Sequence, residues 1–125
     1  MKKRILVIDD EAESLESFAQ AFEDMDYGVS LVDSGDKGLD IVRGEGCDLA
    51  FVDLSLKGVN GAQIVRRLRE LSADLPIFVM TTAHEASLRE LDQVRREGIP
   101  FHLVRKPIGQ IEIQALCHSI LGQAI

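Results

Sequence analysis

The sequence lacks the features that mark several large classes of protein. Its only cysteines, Cys47 and Cys117, are far apart and form no CxxC pair, so neither a disulfide scaffold nor a zinc site is indicated. The apolar run after the basic N-terminus covers only residues 5–8, which is too short for a signal peptide. No run approaches the roughly 20 apolar residues of a membrane helix. We therefore expect a cytoplasmic protein that does not bind membranes.

Positive charge is also scarce. The 125 residues include 14 Lys and Arg against 21 Asp and Glu, which gives a net charge of −7. An acidic chain lacks the basic footprint that binds a phosphate backbone, so direct nucleic-acid binding is not expected. The sequence also has no GxxxxGK[S/T] loop, so it does not indicate a nucleotide site.

The hydrophobic pattern alternates between short apolar runs and helical periodicity. It predicts one domain, residues 1–125, of the α/β class: a doubly wound, five-stranded parallel sheet with five helices. The predicted strands are 4–9, 29–32, 48–53, 77–81 and 101–105, and the predicted helices are about 11–25, 34–43, 62–71, 85–97 and 109–121. We expect Gly28 to close the first helix, and Gly58 and Asn60-Gly61 to form turns in the loop 54–61.

Charged and hydroxyl residues end or directly follow four of the predicted strands. Because the carboxyl ends of parallel strands meet at one edge of a sheet, we expect these residues to form a site there. They are Asp9, Asp10 and Glu11 at the end of the first strand, Asp53 at the end of the third, Thr81 and Thr82 at the end of the fourth, and Lys106, followed by Pro107, at the end of the fifth.

These residue types suit phosphoryl transfer. Carboxylates held close together repel one another unless a cation shares the site, and hard oxygen ligands favour Mg²⁺. Lys106 adds a second positive charge, and Thr81 adds a hydroxyl donor. Acids, a cation, a lysine and a hydroxyl are together the groups that phosphoryl transfer uses. Asp53 stands alone after the central strand and is the best candidate nucleophile. Glu11 is explained by the favourable effect of an acid at a helix N-terminus.

The sequence resembles the receiver domains of two-component response regulators, the CheY-like superfamily. Four segments carry the resemblance, in the family's order and with nearly its spacing, over essentially the whole chain: ILVIDDE at 5–11, LAFVDLSLKGVNG at 49–61, PIFVMTT at 76–82 and VRKP at 104–107. Each motif alone is weak, but their combination is highly specific. The resemblance implies the flavodoxin-like fold of that superfamily.

The resemblance assigns a phosphoacceptor and a metal site. Asp53 would accept a phosphoryl group from the phosphohistidine of a sensor kinase or phosphotransfer protein. Mg²⁺ would be held by Asp10 directly, by Asp9 mainly through a water, by Asp53, and by the backbone carbonyl of Ser55. The chain would catalyse only its own phosphoryl transfer and autodephosphorylation, and would otherwise not be an enzyme.

The resemblance also assigns the residues that sense the phosphoryl group. The Thr81 hydroxyl and the Lys106 ammonium would bind its oxygens, and Pro107 would follow a cis peptide bond that aims the lysine. Thr82-Ala83 mimics the family's common Thr-Ala pair, but the spacing from Pro76 favours Thr81 as the switch hydroxyl. Phosphorylation would then shift a conformational equilibrium and change binding to a downstream effector protein or domain.

The sequence departs from the family at two places and leaves other functions open. Lys57 stands where a proline is usual, and Leu103 stands where the family usually has an aromatic switch residue. The alternative function is a receiver-like interaction module that works without phosphate. A haloacid-dehalogenase phosphatase ranks low because it needs a DxD motif, whereas Asp9 and Asp10 are adjacent, and a flavodoxin-like FMN protein ranks lower because these acids would repel its phosphate.

The chain ends about where its fifth helix ends. We therefore expect no effector domain within it, and it is either a stand-alone receiver or the N-terminal part of a longer regulator.

Overall fold

The structure is a computed structural model that describes residues 2–56, 60–82 and 85–122, and of residues 85–87 only the backbone. The strands are β1 (Arg4–Ile8), β2 (Gly28–Val32), β3 (Leu49–Asp53), β4 (Ile77–Thr81) and β5 (His102–Arg105). The helices are α1 (Ala12–Phe22), α2 (Gly35–Gly44), α3 (Gly61–Leu71), α4 (Glu85–Arg96) and α5 (Gln110–Leu121). The predicted α/β class and the predicted order of elements are confirmed.

The five strands form one parallel sheet in the order β2-β1-β3-β4-β5. The chain passes from β1 to β2 on one side and then crosses to β3 on the other, so the strand order reverses between β1 and β3. Such a reversal opens a crevice at the carboxyl ends of the two strands, which is where ligands bind in sheets of this kind. Ile8 pairs with Val52, and Asp53 pairs with Met80, so the strand ends are nearly level.

Helices cover both faces of the sheet, which explains why the central strands are continuously apolar. Alternate residues of β1 enter two separate cores. Leu6 and Ile8 pack with α2, α3 and α4 on one face, whereas Ile5 and Val7 pack with α1 and α5 on the other. All of these side chains are at most 1% exposed.

One predicted helix end is wrong. Gly28 does not close α1, because that helix already ends at Phe22 and Gly28 is the first residue of β2. Tyr27 is buried and packs its ring edge-on against Phe22, with 6.0 Å between the ring centroids. The Gly28 N–H donates to the Lys3 carbonyl at 2.9 Å, and Gly28 pairs with Arg4. Because Tyr27 is buried against Phe22 and Gly28 pairs with Arg4, the chain leaves the helix before it reaches Gly28.

The two cysteines are small apolar residues of the two cores, as expected. Cys47 is half-buried and Cys117 is buried. Burial raises the pKa of Cys47 to about 11 and that of Cys117 to about 12. Within the described residues, none of the helices is both long and apolar enough to cross a bilayer.

Candidate functional site

Three of the predicted residues converge at the carboxyl edge of the sheet. Asp9 directly follows β1, and its N–H donates to the Val32 carbonyl at 3.0 Å, which fixes its backbone to the edge strand. Asp53 is the last residue of β3, the central strand. Lys106 directly follows β5, and its N–H donates to the Thr81 carbonyl at 2.8 Å. The Lys106–Pro107 peptide bond is cis, as the resemblance implied.

The Lys106 ammonium joins the ends of β1 and β3. Its Nζ donates to Glu11 Oε1 at 2.8 Å, to Asp9 Oδ2 at 3.0 Å and to Asp53 Oδ2 at 3.3 Å. The Lys106 side chain is 8% exposed, and those of Asp9 and Asp53 are 0% and 3% exposed. Buried ions are costly unless they are paired, and this lysine pairs with both buried acids at once.

Burial and neighbouring charges shift the pKa values of two of these groups. Burial raises the pKa of Asp53 and the charge of Asp9 adds to this, while the Ser55 N–H and Lys106 oppose it. Burial on its own lowers the pKa of Lys106, but hydrogen bonds to Glu11 and Asp9 and the charge of Asp53 more than offset it, so the pKa lies above its usual range. Lys106 is therefore a permanent cation at neutral pH.

The acids form a cluster that can hold a metal ion. Asp9, Asp10 and Asp53 each place one carboxylate oxygen so that the three atoms lie within 4.8 Å of one another. Backbone N–H groups orient two of them: the Glu11 N–H donates to Asp9 Oδ1 at 2.9 Å, and the Ser55 N–H donates to Asp53 Oδ1 at 3.0 Å. Carboxylate oxygens are the ligands that Mg²⁺ prefers, and the cluster carries more negative charge than Lys106 balances, so the residues fit this ion.

The two threonines after β4 have different environments. Thr81 is the last residue of the strand and is 3% exposed. It follows Met80, the residue that pairs with Asp53, so it lies at the same edge as the acids. Thr82 is exposed and lines an open cavity of about 310 Å³ beside Lys106. The predicted end of β4 at Thr81 is confirmed, and its role as the switch hydroxyl stays a prediction.

Sequence reasoning missed the contact of Glu11. Glu11 occupies the N-cap position of α1, but its side chain makes no capping hydrogen bond. Its carboxylate instead binds Lys106. The only sequence signal for this contact was that Glu11 is the third acid in the run Asp9-Asp10-Glu11. The favourable effect of an acid at a helix N-terminus already explained that acid.

Gly61 is required for a different reason from the turn that the Asn60-Gly61 pair predicted. Asn60 is the N-cap of α3, and its side chain accepts from the Ala62 N–H at 2.8 Å. A Cβ on Gly61 would lie 2.6 Å from Leu54 Cα and 2.7 Å from the Asp53 carbonyl oxygen. The glycine therefore lets α3 start directly against the backbone that carries Asp53.

Of the two departures from the family pattern, Leu103 lies within the described residues and Lys57 does not. Leu103 is 45% exposed and pairs with Val79, so its side chain lies on the face of the sheet that α2, α3 and α4 cover. Lys57 and Gly58 in the loop after Asp53, and Ala83 beside Thr82, lie outside the described residues.

Comparison with known proteins identifies the family. The model of the response regulator receiver domain matches residues 5–118. The chain belongs to the response-regulator receiver family. Its fold and its acidic cluster agree with that membership.

The receiver is similar to the response regulators named MprA from mycobacteria. It is 33% identical over 123 residues to the protein of Mycolicibacterium vanbaalenii, and the match covers 97% of the receiver and 51% of that relative. The Mycobacterium tuberculosis protein matches with the same identity and coverage. The receiver thus spans about half the length of the curated relatives it matches.

Solved structures show the same fold at lower identity. A CheY-like receiver domain protein of Methanospirillum hungatei superposes with a TM-score of 0.82 at 22% identity, over 95% of the receiver and 93% of that chain. The chemotaxis protein CheY4 of Vibrio cholerae gives a TM-score of 0.81 at 18% identity, over 97% of the receiver and 100% of that chain. The five-stranded parallel sheet with its five helices is the CheY-like, flavodoxin-type fold.

Proposed function

We propose that the receiver accepts a phosphoryl group on Asp53 in a Mg²⁺-dependent reaction, and that the aspartyl phosphate changes what it binds. One observation carries the proposal: the buried Lys106 ammonium bridges Asp9 and Asp53, two of the three acids whose carboxylate oxygens can share a metal ion. That arrangement gathers a nucleophile, a cation site and a fixed positive charge within one crevice. These are the parts that phosphoryl transfer requires.

The proposed reaction uses the residues as follows. An Asp53 carboxylate oxygen attacks phosphorus, the new O–P bond forms, and the bond from phosphorus to the donor's histidine nitrogen breaks. The Ser55 N–H and Lys106 hold Asp53 through separate oxygens, Oδ1 and Oδ2, so the carboxylate is fixed before the donor arrives. Mg²⁺, held by Asp9, Asp10, Asp53 and the Ser55 carbonyl, would neutralise charge on the transferring oxygens.

The product adds roughly two negative charges at the end of β3. Lys106 would follow that charge onto the phosphoryl oxygens, and the hydroxyl of Thr81 would supply a second donor. The Lys106 N–H donates to the Thr81 carbonyl. A movement of either residue would therefore displace the ends of both β4 and β5. This coupling supports a shift between two conformations that a partner can read.

We infer the partners from the chemistry. The donor would be a phosphohistidine on a sensor kinase or phosphotransfer protein, and the reader would be a downstream effector protein or domain. Residues 1–125 would act as one receiver domain in the cytoplasm, with no catalysis beyond phosphoryl transfer to Asp53 and its loss.

One observation favours a second function, a receiver-like module that binds its partner without phosphate. Leu103, which occupies the family's usual aromatic position, leaves 45% of its surface exposed. A leucine also lacks the aromatic ring of the family's usual switch residue.

Intact mass spectrometry distinguishes the two functions. The receiver is incubated with acetyl phosphate, with Mg²⁺ or with a chelator, beside the Asp53→Asn variant as control. We expect a single phosphate adduct that needs Mg²⁺ and is absent from the variant. A folded protein that forms no adduct with acetyl phosphate or with a phosphohistidine donor would refute the phosphoacceptor function and favour the phosphate-independent module.

A further inference from the structure

The ammonium of Lys106 is shared unequally among three carboxylates. Its shortest contact is with Glu11, at 2.8 Å, and its longest is with Asp53, at 3.3 Å. Asp9 lies between these at 3.0 Å. An ammonium has three donors, and all three are engaged here, so a stronger bond to any one partner weakens the others.

Glu11 differs from the other two partners in position and exposure. Its side chain is 62% exposed, whereas those of Asp9 and Asp53 are buried. It is outside the group of three acids whose oxygens can share a metal ion. It caps no backbone group of α1, and among the described residues Lys106 is its only ion-pair partner. Its carboxylate therefore acts on the site through the lysine alone.

We propose that Glu11 is a positioning residue that competes with Asp53 for Lys106 and thereby stabilises the unphosphorylated receiver relative to the phosphorylated one. This inference rests on the proposed phosphoacceptor function. It assigns a role to an acid whose position beside the three clustered acids is otherwise explained only by the start of α1.

The competition follows from the geometry. A phosphoryl group on Asp53 needs the lysine as a donor, and the lysine approaches it by giving up part of its bond to Glu11. The Glu11–Lys106 contact therefore opposes phosphoryl binding. A charge-assisted hydrogen bond to a largely exposed carboxylate is worth about fivefold in an equilibrium constant.

The test measures binding of beryllium fluoride, a phosphoryl analogue, at saturating Mg²⁺ in four proteins: the wild type, Glu11→Gln, Glu11→Asp and Glu13→Gln. Glu13 is the matched control because it is exposed in the first turn of α1 and lines the same cavity beside Lys106, but takes no part in the lysine's contacts. Glu11→Asp keeps the charge but shortens the side chain by one methylene, which ends the contact.

We expect Glu11→Gln to bind the analogue about fivefold more tightly than the wild type, and Glu11→Asp about threefold more tightly. Glu13→Gln should bind as the wild type does. A gain in affinity is informative because a variant that merely damaged the fold would bind more weakly, and urea unfolding of each variant checks the fold directly.

Three results would overturn the inference while leaving the proposed function intact. The first is that Glu11→Gln binds the analogue no more tightly than the wild type. The second is that Glu11→Gln binds more tightly but Glu11→Asp binds as the wild type does. The third is that Glu11→Gln and Glu13→Gln gain affinity equally. The last two would assign the effect to net charge rather than to the lysine contact. A wild type that neither binds the analogue nor forms an adduct with acetyl phosphate would overturn the proposed function and this inference together.

Discussion

The two edges of the sheet carry ion pairs of the same chemical types in opposite environments. At the amino edge, Arg4 pairs with Glu45 at 2.9 Å, and their side chains are 45% and 61% exposed. At the carboxyl edge, Lys106 pairs with Asp9 and Asp53, and all three side chains are at most 8% exposed. Exposed pairs add little to stability because water and salt screen them. Buried pairs must first lose their hydration, so the pair itself adds little net stability, although removing one partner is costly because the other charge stays buried.

We call the carboxyl edge the buried edge and the amino edge the exposed edge. The largest expected effect on stability comes from removing Lys106, the cation of the buried edge. Lys106→Met leaves Asp9 and Asp53 buried without their ammonium, which should lower the free energy of unfolding by about 3 kcal/mol in a chelator. Mg²⁺ should restore part of this loss, since binding to the folded state alone stabilises it. Urea unfolding with and without Mg²⁺ measures both effects. An unchanged midpoint in the chelator would show that the lysine does not balance the acids.

A smaller loss should follow from disturbing the support of the buried edge. Gly61→Ala places a methyl group 2.6 Å from Leu54 Cα and 2.7 Å from the Asp53 carbonyl oxygen. We expect it to destabilise the protein by about 2 kcal/mol, because overpacking against a backbone outweighs the gain in helix propensity. Adduct formation with acetyl phosphate should also slow, since the Asp53 backbone moves. Gly44→Ala is the control, because a Cβ there meets nothing within 4 Å. Equal stability of the two variants would contradict the prediction.

Neutralising an acid of the buried edge should stabilise the protein rather than destabilise it. Burial and the charge of Asp9 disfavour the ionised form of Asp53, so Asp53→Asn should raise the free energy of unfolding by about 1 kcal/mol in a chelator at neutral pH. Urea unfolding provides the measurement. A loss of stability would mean that Lys106 already more than balances both acids.

The smallest effect is expected at the exposed edge. Glu45→Gln removes the partner of Arg4 and should change stability by no more than about 0.5 kcal/mol, with less effect as salt increases. Unfolding at low and high salt tests this. A loss as large as that of Lys106→Met would remove the contrast between the two edges.

Most of the site could be predicted because strand ends can be read from a sequence. Asp9, Asp53 and Thr81 each close or directly follow an apolar run, and a parallel sheet brings such ends to one edge whatever the distance along the chain. The proposal that Asp53 is the acceptor uses the same signal, since Asp53 is the lone acid at the end of the central strand. Its role stays a prediction until phosphorylation is measured.

The errors concern residues whose environment comes from distant parts of the chain. The position of Glu11 before a helix favoured a local explanation, and its contact with Lys106, 95 residues away, has no local signal. The prediction that Gly28 ends a helix rests on the frequency of glycine at helix ends, but Tyr27 is buried and Gly28 pairs with Arg4 in β2. Gly61 was recognised as special, yet only the structure shows that close approach to Leu54 is the reason.

The bonds that define the site also join very distant parts of the chain. Lys106 reaches Asp9 across 97 residues and Asp53 across 53 residues. Contacts of such high sequence separation are slow to form, because they need most of the topology in place first. Partly folded chains and proteolytic fragments that separate β1 from β5 would therefore lack the complete site. The proposed phosphoryl transfer to Asp53 would then be confined to chains that have finished folding.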